Sequence, residues 1–300
     1  MNGADSEADK FMKVFFVELG DFNLFLGLPE NGARAAFHDV FDQLQLEKGN
    51  ENVLFVPYQR AGLVYVYELA NELLNKLPDD YIKNYMLHYA NAKEKIRRNE
   101  VKDTFILDVI SVFADANVKV IGEWLKFEEN NALFDPEIYP AMVNEVTDML
   151  LPLIDLETPA WVLIEQPEAH VHPAYQTLLL LAFLSLVQHG YKFVIYTDSD
   201  LMASFLGDLV RYKPNKEKIA EVMKKILKLN SLPPTIEKII EETEKTVRKI
   251  VTEGKINVYY FKNGIATEYP AKELVFNVPG ITKQVIDSIV LWETEMIGDD

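Results

Sequence analysis

The chain has 300 residues, 49% of them hydrophobic and 26% charged, so it can bury a large core and does not have the composition of a disordered protein. Its formal net charge of −17 excludes a surface that is basic all over, the usual footprint of a protein that coats nucleic acid. It contains no cysteine, which excludes disulfides, thiolate metal sites and cysteine nucleophiles.

The first ten residues, MNGADSEADK, are polar and acidic and read as a disordered tail over 1–10 rather than a signal peptide. KVFFVEL, Gly-Asp and FNLFLGL read as a hairpin. ENGARAAFHDVFDQLQL follows as a helix with an apolar stripe at Ala35, Phe37, Val40, Phe41 and Leu44. A short strand at Asn52 to Val56 ends at Pro57, and a helix then runs to Pro78. Residues 79–101 are amphipathic and helical. DTFILDVISVFADA fits helix or strand equally, and the following connector has room for a short hairpin. AMVNEVTDMLLPLIDL reads as a helix.

WVLIE, from Trp161, is apolar on both faces and reads as a buried strand. PAYQTLLLLAFLSLVQHG is a helix with Pro173 in its first turn and Gly190 beyond its end. YKFVIYT is a second buried strand, and SDLMASFLGDLVRY a further helix. Strand–helix–strand–helix with short loops predicts a βαβ unit of a parallel sheet, with both strand ends on the edge where such sheets bind ligands. Glu165, Gln166, Asp198 and Asp200 would meet there. Segment 214–253 is charged and helical, broken at SLPP. KINVYYFKNGIATEYP closes as a hairpin around Asn263-Gly264, and a last helix covers roughly Thr282 to Glu295. The longest apolar run, Leu178 to Val187, is too short to cross a bilayer, so a cytoplasmic protein with no membrane partner is expected.

WVLIEQPEAHVHPAYQ, then a helix, then FVIYTDSDLMASFLGDLV, resembles the C-terminal half of ABC-type ATPases of the RecF/SMC/OLD-like group (AAA ATPase-like). VLFVPYQRAGLV upstream and the closing NVYYFKNGIATEYP…GITKQVIDSIV are similar to that group in order, so the resemblance spans about residues 50–297. It implies an α/β, three-layer, mainly parallel sheet, a truncated P-loop ATPase-like (ABC type) domain over 11–297. It would have a helical insertion at about 66–150, the charged helical segment at about 214–253 and a C-terminal hairpin.

It also implies a set of chemical positions. Glu165 stands at the metal or nucleotide side. Gln166 replaces the acid that polarises water, and an amide cannot take a proton. Asp198 replaces the histidine that would face the γ-phosphate. No Gly-x-x-x-x-Gly-Lys-Ser/Thr occurs, and the lobe that carries it looks absent or reduced to the first hairpin. MVNEVTDMLLP stands in place of the Ser/Gly-rich signature segment. Phosphoryl transfer rests on positioning and electrostatics. The isolated chain is therefore expected to lack ATPase activity and to bind no cofactor alone, with ATP and Mg entering only where a partner supplies the phosphate loop.

Glu168, His170, His172 and Pro173 form the turn that lies at the dimer interface in that group. A homodimer, or pairing with an intact ATPase homologue, is the expected partnership. A metal site built on His170, His172 and the nearby acids is the sharper but less favoured alternative. His38, His88 and His189 read as ordinary helix or surface residues. Arg60 is a charge partner for Glu165 or Asp198, or else a strand-end salt bridge. From Arg211 to Lys249 there are 11 Lys or Arg against 6 Asp or Glu, and Lys224, Lys225 and Lys228 mark a basic patch there. Three functions follow: a degenerate ATPase homologue that binds, regulates or scaffolds; a chain contributing Glu165 to a composite ATPase site; and a nucleic-acid-associated accessory factor.

Overall fold

The computed structural model describes residues 21–26, 52–58, 60, 63–64, 80–122, 124–253, 255–262, 265–268 and 270. The predicted tail, the helix after residue 30, most of the helix ending at Pro78 and the final helix lie outside these residues. Arg60, Leu63 and Val64 are helical.

In chain order the elements are β1 (Phe22–Leu26), β2 (Val53–Val56), α1 (Asp80–Arg97), α2 (Phe105–Ala114), β3 (Asn117–Ile121), β4 (Trp124–Glu129) and β5 (Ala132–Phe134). There follow α3 (Ala141–Leu150), β6 (Ala160–Glu165), α4 (Pro173–Leu186), β7 (Tyr191–Thr197) and α5 (Asp200–Tyr212). The last are α6 (Lys216–Leu227), α7 (Pro234–Thr252), β8 (Ile256–Lys262) and β9 (Ile265–Glu268).

The main sheet has the order β2–β6–β7–β1–β8–β9. Its first five strands are mutually parallel, and β9 closes one edge antiparallel to β8. Parallel strands need both faces covered, and the sequence meets that demand. Every residue of β2 and β6 is buried. α4 is apolar all round, and Thr177 to Leu186 are buried without a break, as a helix enclosed by other elements requires. α7 lays Ile236, Ile239, Ile240, Thr243, Val247 and Ile250 inward at helical spacing. Thr243 Oγ1 donates to the Leu181 carbonyl of α4 at 2.9 Å. β3, β4 and β5 form a separate antiparallel sheet between α2 and α3, which turns the expected hairpin into a three-stranded one.

The β6–α4–β7–α5 unit, the closing β8–β9 hairpin and the break between α6 and α7 match the sequence reading. The N-terminal hairpin does not. β1 pairs in parallel with β7 on one side and β8 on the other over its whole length, from Phe22 opposite Phe193 and Ile256. A strand has two edges, and parallel neighbours take both of those of β1; the other expected arm of that hairpin, residues 13–19, lies outside the described residues. The segment that looked like a remnant sits in the middle of the sheet. Buried Asn23 suits that place: its Nδ2 donates to the Phe193 carbonyl at 3.0 Å, and its Oδ1 accepts from Asn257 Nδ2 at 3.2 Å.

Candidate functional site

β6 delivers Glu165 to the C-terminal edge of the sheet. Its side chain is 3% exposed, and its Oε2 accepts the Tyr58 N–H, just past β2, at 3.4 Å. The next residue extends the ladder by one bond, since the Gln166 N–H donates to the Tyr196 carbonyl at 2.8 Å. The chain then turns sharply. Gln166 has φ 46° and His170 φ 60°, left-handed conformations that cost a non-glycine residue about 1–2 kcal/mol. Bonds from Ala169 N–H to the Gln166 carbonyl (3.1 Å) and Val171 N–H to the Glu168 carbonyl (2.9 Å) hold the turn, and Val171 is buried at its far end.

Three polar side chains of this edge engage one another. Gln166 Nε2 donates to Asp198 Oδ2 at 3.4 Å. Glu168 Oε1 accepts the Asp198 N–H at 3.1 Å, while Glu168 Oε2 is buried with no hydrogen-bond partner. Burial, and then the neighbouring Asp198, push the Glu168 carboxyl up to about 8, so it is mostly neutral at pH 7. The start of α5 is already capped: Ser199 Oγ accepts the Met202 N–H at 3.2 Å and donates to Gln176 Oε1 at 2.7 Å. Asp200 adds a carboxylate to the first turn, where a helix favours negative charge.

Arg60 lies beneath this edge and is 0% exposed. Its ion pair runs from Nε to Glu145 Oε2 of α3 at 3.0 Å. The guanidinium also donates to main-chain carbonyls of Pro57 (3.3 Å), Glu145 (3.4 Å), Glu165 (3.3 Å) and Gln166 (3.5 Å). It therefore reaches the sheet edge as expected but takes its charge partner from a helix, and meets Glu165 and Gln166 through their backbone. Burial raises the Glu145 carboxyl above its ordinary value, and Arg60 opposes that rise.

His170, His172 and Pro173 are exposed, with Leu201 at 41% exposure in the first turn of α5. His172 Nδ1 accepts the Ala174 N–H at 3.2 Å and so caps α4, with Pro173 at the position where a missing N–H costs nothing. Among the described residues no group of three or more His, Cys, Asp or Glu side chains is arranged to hold a metal ion. Lys224 and Lys225 occupy the last turn of α6 and Lys228 its left-handed cap. Lys225 and Lys218 both pair with Glu221, at 2.9 and 3.1 Å, which offsets part of the local positive charge. No helix among the described residues is long and apolar enough to cross a membrane.

The sequence reading missed Glu145 and the backbone role of Arg60, which join residues 85 positions apart. It also passed over a pattern next to β1. Gly27 and Gly32 follow that strand at phosphate-loop spacing, with Ala33 and Arg34 where Lys and Ser/Thr would stand. No model of a known protein family, no curated protein and no solved structure matches the chain.

Proposed function

We propose that the chain is a catalytically degenerate homologue of ABC-type ATPases that acts by binding, as a regulatory or scaffolding subunit paired with itself or with an intact ATPase. The observation that carries this is the contact between Gln166 Nε2 and Asp198 Oδ2. In the resemblance these two positions belong to a water-polarising acid and a phosphate-facing histidine. Here an amide donates to a carboxylate: Gln166 cannot take a proton from water, and an ionised Asp198 has no proton to donate to a phosphate. Asp198 adds a carboxylate where a nucleotide would bring more negative charge. These residues do not fit a magnesium-bound triphosphate, although Glu165 keeps a carboxylate at the strand end.

The exposed turn of His170, His172 and Pro173, with Leu201 beside the start of α5, is the surface this function would use. Two measurements test it. Calorimetric titration of the micromolar chain with ATP and magnesium is expected to give no saturable binding; a saturable, magnesium-dependent isotherm would overturn degeneracy. Sedimentation velocity over a range of concentrations, with His170→Glu/His172→Glu beside the parent, reads self-pairing. A homodimer weakened by that double substitution supports the turn as the contact, whereas a dimer indifferent to it moves the interface elsewhere.

A further inference from the structure

His189 lies on the short helical turn Val187–His189 between α4 and β7, on the sheet edge opposite Glu165. Its Nδ1 is 2.5 Å from Asp103 Oδ2, in the loop before α2, and its Nε2 is 3.1 Å from Glu242 Oε2 of α7. The ring stacks on Phe105 of α2, with centroids 4.3 Å apart and planes within 2°. A neutral imidazole has one N–H, so it cannot donate to two ionised carboxylates at once, whereas imidazolium can.

The surrounding charges are few. Lys238 of α7 lies 4.5 Å over the Phe105 ring, and Asp108 of α2 interacts with both Lys238 and Asp103. The Tyr191 hydroxyl, whose proton burial retains, donates to the Leu153 carbonyl at 3.0 Å. When His189 loses its proton, the carboxylates of Asp103, Asp108 and Glu242 are left with Lys238 as the cation among these groups.

We propose that His189 is a pH-operated clasp that ties the α4–β7 connector to the first turn of α2 and to the middle of α7 when protonated, and releases one of the two when neutral. Glu242 and then Asp103 raise the imidazole above its ordinary value against the opposing effect of burial. The stabilisation is therefore fully present below the ordinary imidazole range and is lost as pH rises through the raised value. The inward face of α7 keeps its packing after the release, because seven buried side chains hold it. What changes is local protection around Glu242 and Phe105.

Two readouts on the full chain test this: imidazole titration by NMR, and hydrogen exchange of the α2 and α7 segments on either side of the titration, corrected for intrinsic rates. His189 should titrate above the ordinary imidazole value, and protection near Glu242 or at the first turn of α2 should fall several-fold across that titration. The step should be absent in His189→Gln. Should that variant not fold, Glu242→Gln must instead lower the His189 titration point. A His189 that titrates at or below the ordinary value, or protection unchanged across the titration, overturns the clasp.

Discussion

Gln166 and Asp198, 32 positions apart, meet amide to carboxylate at 3.4 Å across the ends of two adjacent parallel strands. On the ATPase reading proposed above, these positions would carry an acceptor and a donor, acid then histidine. In this chain Gln166 is the donor and Asp198 the acceptor, the reverse of that order. On the reading proposed above, polarity exchanged on both sides would be a contact kept for structure after its chemistry had gone.

Gln166→Glu is expected to give no ATPase activity. It places a new carboxylate beside Asp198 and Glu168 and removes the donor. We expect a loss on the order of 1 kcal/mol, because Asp198 is exposed and solvent screens the repulsion. Adding Asp198→His should recover most of it, since acceptor and donor are again matched. Urea denaturation of the two single variants and the double variant measures this coupling, and strict additivity would count against the pairing.

Glu168 predicts a pH dependence of stability. Its folded value of about 8 lies above the ordinary value of 4.5, so between these two the folded state holds a proton that the unfolded state has lost. Stability from this group falls as pH rises across that window and levels off above it. Glu168→Gln keeps a side-chain oxygen for the Asp198 N–H and should flatten the profile. Melting temperatures across this pH range for parent and variant decide the matter.

Arg60→Ala strands a buried Glu145 and removes donors from four carbonyls. A buried pair broken on one side costs about 3–5 kcal/mol. Arg60→Lys should also be costly, because an ammonium cannot reproduce the planar fork that reaches both α3 and the end of β6. Arg60→Met with Glu145→Met should lose less than the sum of the single changes. A melting temperature unchanged by Arg60→Ala would remove Arg60 from any role in shaping the edge.

Lys224, Lys225 and Lys228 sit on an exposed helix whose charge is partly paired. Replacing all three with Ala should change stability by no more than about 0.5 kcal/mol per site. Salt-dependent DNA binding in the parent, lost in this triple variant, would favour the nucleic-acid accessory role over the one proposed.

Much of the architecture is legible in the sequence because it is local. The β6–α4–β7–α5 run announces itself through uninterrupted apolar strands, Pro173 at a helix start and Gly190 at φ 89° after a helix end. α2 was ambiguous because Ile106, Val109, Ile110 and Phe113 are β-branched or aromatic types that favour strands, although their spacing is that of a helix. Packing against α3 and β3 selects the helix. The site was legible as a set of residue types on one edge but not as a network. No local signal says that Arg60 will choose Glu145, or that Gln166 will take a left-handed turn. His189 looked ordinary for the same reason: Asp103 and Glu242 come from 86 and 53 positions away. β1 misled because an apolar run beside Gly-Asp has the local grammar of a hairpin, while its true neighbours are remote.

That remoteness has a kinetic side. β7 lies 170 residues downstream of β1 by the Asn23–Phe193 bond, and β8 lies 234 downstream by the Asn257–Asn23 bond. On a ribosome, β1 emerges before either of its partner strands, and its two edges lack those partners until β7 and then β8 have followed. Contacts of such high order close slowly, and unpaired strand edges invite intermolecular pairing in the meantime. From these separations β1 is expected to join the sheet late, between β7 and β8, after the more local β6–β7 pairing has formed.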